Sequence, residues 1–157
     1  MMDTVYIETS IVSYLRQKPS AQVVTAARQL LTHQWWNDER QNYELVVSQY
    51  VIDEASGCDP TLAAERLESL DGIPLLPDAA EIPQIANEIM ALGVLPAKAQ
   101  VDALHIAAVA HHRIQYLLTW NCQAHRERQD FPPHPRCADR IGNSNPDHLH
   151  TRGDVGK

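Results

Sequence analysis

The chain is poor in cysteine and in basic charge, and it contains no long apolar run. Its three cysteines, Cys58, Cys122 and Cys137, are odd in number and lack metal-type spacing. A disulfide framework and a structural zinc site are therefore poorly supported, and free thiols in a reducing compartment are expected. The apolar runs fall far short of the roughly 20 residues that span a bilayer, which excludes a helical membrane protein. Lys and Arg total 13 against 20 Asp and Glu, a formal net charge of −7. That balance excludes a protein that coats duplex nucleic acid by bulk electrostatics. It leaves open an enzyme that acts on nucleic acid through acids gathered around a cation. The opening MMDTVYIETS has no basic stretch followed by an apolar core. No secretory leader is expected, and the expected compartment is the cytoplasm.

What is present is one domain's worth of globular sequence. The chain has 157 residues, 44% hydrophobic and 21% charged, enough to bury a core without staples. The composition changes near residue 123. Residues 124–157 hold seven apolar residues but four of the ten prolines and four of the eight histidines. No period of 2 or 3.6 survives there. Residues 1–123 read as the folded body, and 124–157 as a poorly structured tail.

The body alternates between strand and helix patterns. Residues 3–8, Asp-Thr-Val-Tyr-Ile-Glu, are a short β-rich run with an apolar/polar rhythm, hence a strand. Thr9 or Ser10 can cap a short helix with Ile11, Tyr14 and Leu15 facing inward. Residues 21–36 suit a longer helix, with Val24, Ala27, Leu30, Leu31 and Trp35 near helical period. Residues 44–48 form a second strand and 49–56 a helical turn or two. Pro60 opens another helix, and 73–76 is a third, short extended run. Helices follow at about 79–92 and 97–112, then a fourth strand at 115–119. Strands separated by helices imply an α/β fold: a central, mostly parallel sheet with helices on both faces.

In such sheets ligands bind at the carboxyl ends of the strands. Glu8 ends the first strand. Glu54 lies on the helical turn fed by the second. Asn121 follows the fourth, two residues past Thr119. Asp102 sits on a helix in which every other residue from Val101 to Ala110, save His105, is apolar. Three carboxylates and an amide converging on one rim would hold a hard divalent cation through oxygen, Mg²⁺ or Mn²⁺.

Four segments carry a family resemblance: VYIETSIVSYL (5–15), LVVSQYVIDE (45–54), VDALHIAA (101–108) and LLTWN (117–121). In this order they resemble the signature blocks of PIN domains, and specifically the VapC-like ribonuclease toxins. The resemblance implies a Rossmann-like α/β/α sandwich and Mg²⁺- or Mn²⁺-dependent cleavage of RNA. It puts Glu8 at the first acidic position, where most members carry Asp, with Glu54 second and Asp102 third. Asn121 takes the fourth, where many members carry Asp, and Thr119 the hydroxyl position beside it. It also implies a cognate antitoxin partner, a homodimer as members commonly form, and no membrane partner.

Each residue also has a plainer reading. Glu8 can cap the next helix, and Asp102 can be a helix N-terminal acid. Asn121 can be a turn residue, and one of Asp53 and Glu54 is only solvated. His105, three residues beyond Asp102, reads as a packed or supporting histidine rather than a ligand. Glu8 and Asn121 also fit a binding module with weak or no catalysis. A metal phosphomonoesterase on a similar scaffold is a third reading.

The tail lacks the helix and strand with which family members end. A frameshift would explain this. Codons exist for 124–131 (AHRERQDF) that, read one base over, spell HIANAKIF. The same register carried onward can end in a Cys-Thr-Pro-Glu-Glu close that resembles the family's own.

Overall fold

A computed structural model describes residues 1–121 of the chain. The elements run β1 (Thr4–Ile7), α1 (Thr9–Arg16), α2 (Val23–Gln34), β2 (Glu44–Val46), α3 (Gln49–Ala55), α4 (Pro60–Leu70), α5 (Glu81–Ala91), α6 (Gln100–His111) and β3 (Tyr116–Leu118). A π-turn at Trp35–Glu39 and a 3-10 turn at Arg40–Asn42 lead from α2 into β2.

Among the described residues the sheet has three parallel strands in the order β2-β1-β3. The extended run expected at 73–76 shrinks to one parallel bridge, Val47 to Leu75. It is held by Val47 N–H to Pro74 O at 3.0 Å and Leu76 N–H to Val47 O at 2.7 Å. Proline has no N–H to donate, so this run cannot extend its ladder through Pro74.

Stepping from β1 to β2 to the bridge moves outward in one direction; the return to β3 reverses it. Right-handed crossovers therefore put α1–α4 on one face and α5–α6 on the other. The contacts agree: α1 packs on α2, α3 and α4, and α5 packs on α6.

Packing follows composition. Tyr6, Ile7 and Val12 are fully enclosed, joined by Val47, Val51 and Ile82. Each large aliphatic side chain buried this way contributes about 1.5–3 kcal/mol. Ala103, Ala107 and Ala108 on α6 are also fully enclosed; their small size lets this helix lie close to its neighbours. Ile11, Tyr14 and Leu15 face inward on α1 as expected. On α2 the enclosed residues are Gln29 and Thr32, whereas Leu30 and Leu31 are 68% and 51% exposed among the described residues.

The caps are local. Asp59 accepts from the N–H groups of Thr61 and Leu62 (2.9 and 3.1 Å), and Pro60 sits in the first turn of α4. On α1 the cap is neither Thr9 nor Ser10 but Glu8, whose carboxylate accepts from Ser10 N–H at 3.0 Å. Glu8 has the extended backbone of an N-cap, and its longer side chain folds back to the helix start.

Cys58 is disulfide-bonded, against the expectation of free thiols. An odd count still leaves room for one pair, because pairing depends on spatial approach rather than parity. The other two cysteines, and the whole proposed tail 124–157, lie outside the described residues.

Candidate active site

Parallel strands bring their carboxyl ends to one edge of the sheet. Glu8 leaves β1 there, Ser48 leads β2 into α3, and Thr119 and Asn121 follow β3. Helices α3 and α6 touch above that edge and deliver Glu54 and Asp102. The exit from β3 is stitched onto β1 and α1. Glu8 N–H donates to Leu118 O at 3.1 Å, and Trp120 N–H donates to Ser10 Oγ at 2.8 Å.

Glu8 is the centre of this edge and is 3% exposed. Its Oε2 accepts from Ser10 N–H at 3.0 Å and from Thr119 Oγ1 at 2.8 Å. Its Oε1 accepts a longer bond from Asn121 Nδ2 at 3.4 Å and lies 3.8 Å from His105 Nε2. The same Asn121 Nδ2 donates to Asp102 Oδ1 at 3.3 Å. Asn121 N–H in turn donates to Thr119 Oγ1 at 2.9 Å. Glu8, Thr119, Asn121 and Asp102 thus form one connected set.

Glu54 reaches the set from the other side. Its Oε1 lies 3.2 Å from His105 Nε2, and its side chain is 28% exposed. The neighbouring Asp53 turns to the surface, where it accepts from Gln49 Nε2 at 2.8 Å. All five residues expected at the site therefore meet at one edge. Glu8, Glu54 and His105 offer ligand-capable atoms within 4.8 Å of one another. Asp102 stands outside that tight group and joins it through the Asn121 amide. Both Glu54 and Asp102 are half-buried, on the side open to solvent.

Two residues enter the site without having been expected, and a third has a larger part than expected. His105 is 1% exposed, at the centre rather than on a neighbouring face. Behind it, Tyr6 Oη lies 2.7 Å from His105 Nδ1 and 2.6 Å from Ser48 Oγ. One signal was available: Tyr6 is two residues from Glu8 and so shares its side of β1.

Burial sets the electrostatics. The Glu8 carboxyl is pushed above its ordinary pKa, first by loss of water and then by the Glu54 charge. His105 and the donors on Ser10 and Thr119 pull it back in part. The Tyr6 phenol is likewise pushed well above its usual range, chiefly by burial, although its bond with Ser48 opposes this. A buried acid pressed against a second acid is a place where a cation relieves cost. Glu8, Glu54 and His105 form the group that could hold one.

A cavity of about 400 Å³ opens on the other side of Thr119, against Trp35 and Trp120. It shares only Thr119 with the acidic set.

Acids converge at the carboxyl edge of a parallel sheet in an α/β fold, and a match to a solved structure makes that fold PIN-like. One solved structure to which the chain is similar is VapC20 of Mycobacterium tuberculosis, described as a toxin that cleaves the sarcin–ricin loop. The two share 17% sequence identity with a TM-score of 0.59, over 76% of this chain and 92% of that one. No protein-family model and no curated protein matches the chain.

Proposed function

We propose that the chain is a Mg²⁺- or Mn²⁺-dependent endoribonuclease, the toxin of a toxin–antitoxin pair. The observation that carries this reading is Glu8, a buried acid facing Glu54 at the edge where a PIN-like fold gathers its carboxylates. The neighbouring fold is that of an RNA-cleaving toxin.

In this reading Glu8, Glu54 and Asp102 hold the ion, with Asn121 at the fourth position. Held there, a divalent ion would supply polarisation of the phosphate and a bound water acidic enough to act near neutral pH. The protein supplies the orientation. Ser10 N–H and Thr119 hold Glu8 Oε2, which leaves Oε1 turned toward Glu54 and His105. Asn121 ties Glu8 to Asp102 without adding charge. Glu54 and Asp102, on the open side, face the direction from which RNA arrives. An antitoxin would place Arg or Lys against the same carboxylates. A homodimer and a cytoplasmic location belong to this reading too.

The test is RNA cleavage by purified protein with Mg²⁺, Mn²⁺ or EDTA, beside Asp102→Asn. Cleavage that needs metal and disappears in the variant supports the proposal. A well-folded protein that binds Mn²⁺ but cuts nothing supports the second reading, a PIN-like module that binds RNA or a protein without catalysis. The neutral Asn121 amide between two acids favours that alternative.

Residues 124–157 are proposed to be a frameshifted ending of this domain. Resequencing the gene tests this. Codons that do not spell the family ending in any shifted frame refute it.

A further inference from the structure

Ser48, Tyr6, His105 and Glu54 lie in one buried line of polar atoms. We infer that Ser48 and Tyr6 make His105 a hydrogen-bond donor to Glu54, removing it from the ligand set and leaving an all-oxygen cation site. This deepens the proposed function, because it rests on that reading of the acids.

The question is chemical because Glu8, Glu54 and His105 are close enough to share one ion. Two carboxylates and an imidazole suit zinc and other borderline metals. The same acids without the imidazole suit Mg²⁺ and Mn²⁺. The nitrogen that carries the proton decides between them, since a protonated Nε2 has no lone pair to give.

The hydrogen-bond line can run in two directions. In one, Ser48 Oγ–H donates to Tyr6, Tyr6 donates to His105 Nδ1, and His105 Nε2–H donates to Glu54 Oε1. Every proton then has an acceptor. In the other, His105 Nδ1–H donates to Tyr6 and Tyr6 donates to Ser48. The Ser48 proton is then orphaned: Ser48 makes no capping bond to α3, and its side-chain partner is Tyr6. The bare Nε2 lone pair would also face Glu54 Oε1 at 3.2 Å and Glu8 Oε1 at 3.8 Å.

In the metal-free site both penalties act in the same direction; with an ion between the acids, the orphaned proton of the buried Ser48 is the one that still opposes the second arrangement. A doubly protonated ring would reverse the Tyr6–Ser48 half but would still carry a proton on Nε2. His105 is therefore a positioning residue: it aims Glu54 and takes no place on the ion.

Nitrogen NMR of the full chain tests this, metal-free and with saturating Mg²⁺. The His105 signals are assigned by their loss in His105→Gln. The expected result is a proton on Nε2 in both states. In Tyr6→Phe the lock is gone, and the affinity for Zn²⁺ relative to Mn²⁺ should rise roughly tenfold. An unprotonated, metal-bound Nε2 in the wild type overturns the inference, as does an unchanged metal preference in folded Tyr6→Phe. If Tyr6→Phe does not fold, the wild-type nitrogen signals decide alone. Signals and melting temperature unmoved by Mg²⁺ would refute the cation reading instead. The metal-free proton position would still test the lock.

Discussion

Replacing Glu8 by glutamine separates the charge of this residue from its hydrogen bonds. The two short bonds it accepts, from Ser10 N–H and Thr119, both go to Oε2. A glutamine carbonyl in that place keeps both. Its amide nitrogen then replaces Oε1 and loses the long 3.4 Å bond from Asn121, worth about 0.5–1.5 kcal/mol. Against that loss stands the burial of a charge. Because the folded pKa of Glu8 lies above the unfolded one, the protonated acid favours the native state at low pH. That advantage is lost as pH rises through the folded value. Each unit of upward displacement costs the ionised native state about 1.4 kcal/mol, roughly 3–6 °C of melting temperature at this chain length. Metal-free wild type and Glu8→Gln should therefore melt at similar temperatures near pH 4, with the variant gaining on the wild type toward pH 8. Saturating Mg²⁺ should stabilise the wild type, by about 2.7 kcal/mol at a hundredfold excess over its dissociation constant, and the variant much less. Thermal melts across pH with and without Mg²⁺ measure this. A difference between the two proteins that is flat from pH 4 to pH 8 would refute the reasoning.

Other expectations follow from single contacts. Glu54→Gln should abolish metal-dependent RNA cleavage while Asp53→Asn, on the solvent side, leaves it intact; equal losses in a cleavage assay would contradict the assignment. Thr119→Val removes the donor to Glu8 and the acceptor for Asn121 N–H, so cleavage should fall about tenfold. The same change should lower stability by about 1–2 kcal/mol in a denaturant titration. Asp59→Ala removes the α4 cap and should cost about 1 kcal/mol in the same titration, with cleavage unchanged.

The sequence by itself determined the succession of elements and most of the rim. The β-rich run over 3–8, Pro60 at the start of α4 and the apolar α6 are local signals, and each became an element close to its expected bounds. Glu8 and Asn121 were legible for a related reason. Parallel strands end on one edge, so polar residues just past strand ends must approach one another. Periodicity, however, tells which residues share a face and not what that face meets. The tertiary structure alone decided that His105 lies at the centre of the acids, because its depth depends on how closely α6 approaches α3 and β1. It alone decided that Glu8 both caps α1 and faces Glu54, readings that the sequence offered as alternatives. It also left Leu30 and Leu31 exposed on a helix whose apolar spacing says nothing of what covers it. Local pattern fixes direction along a chain, whereas burial and charge depend on which segments, distant in sequence, come to lie against each other.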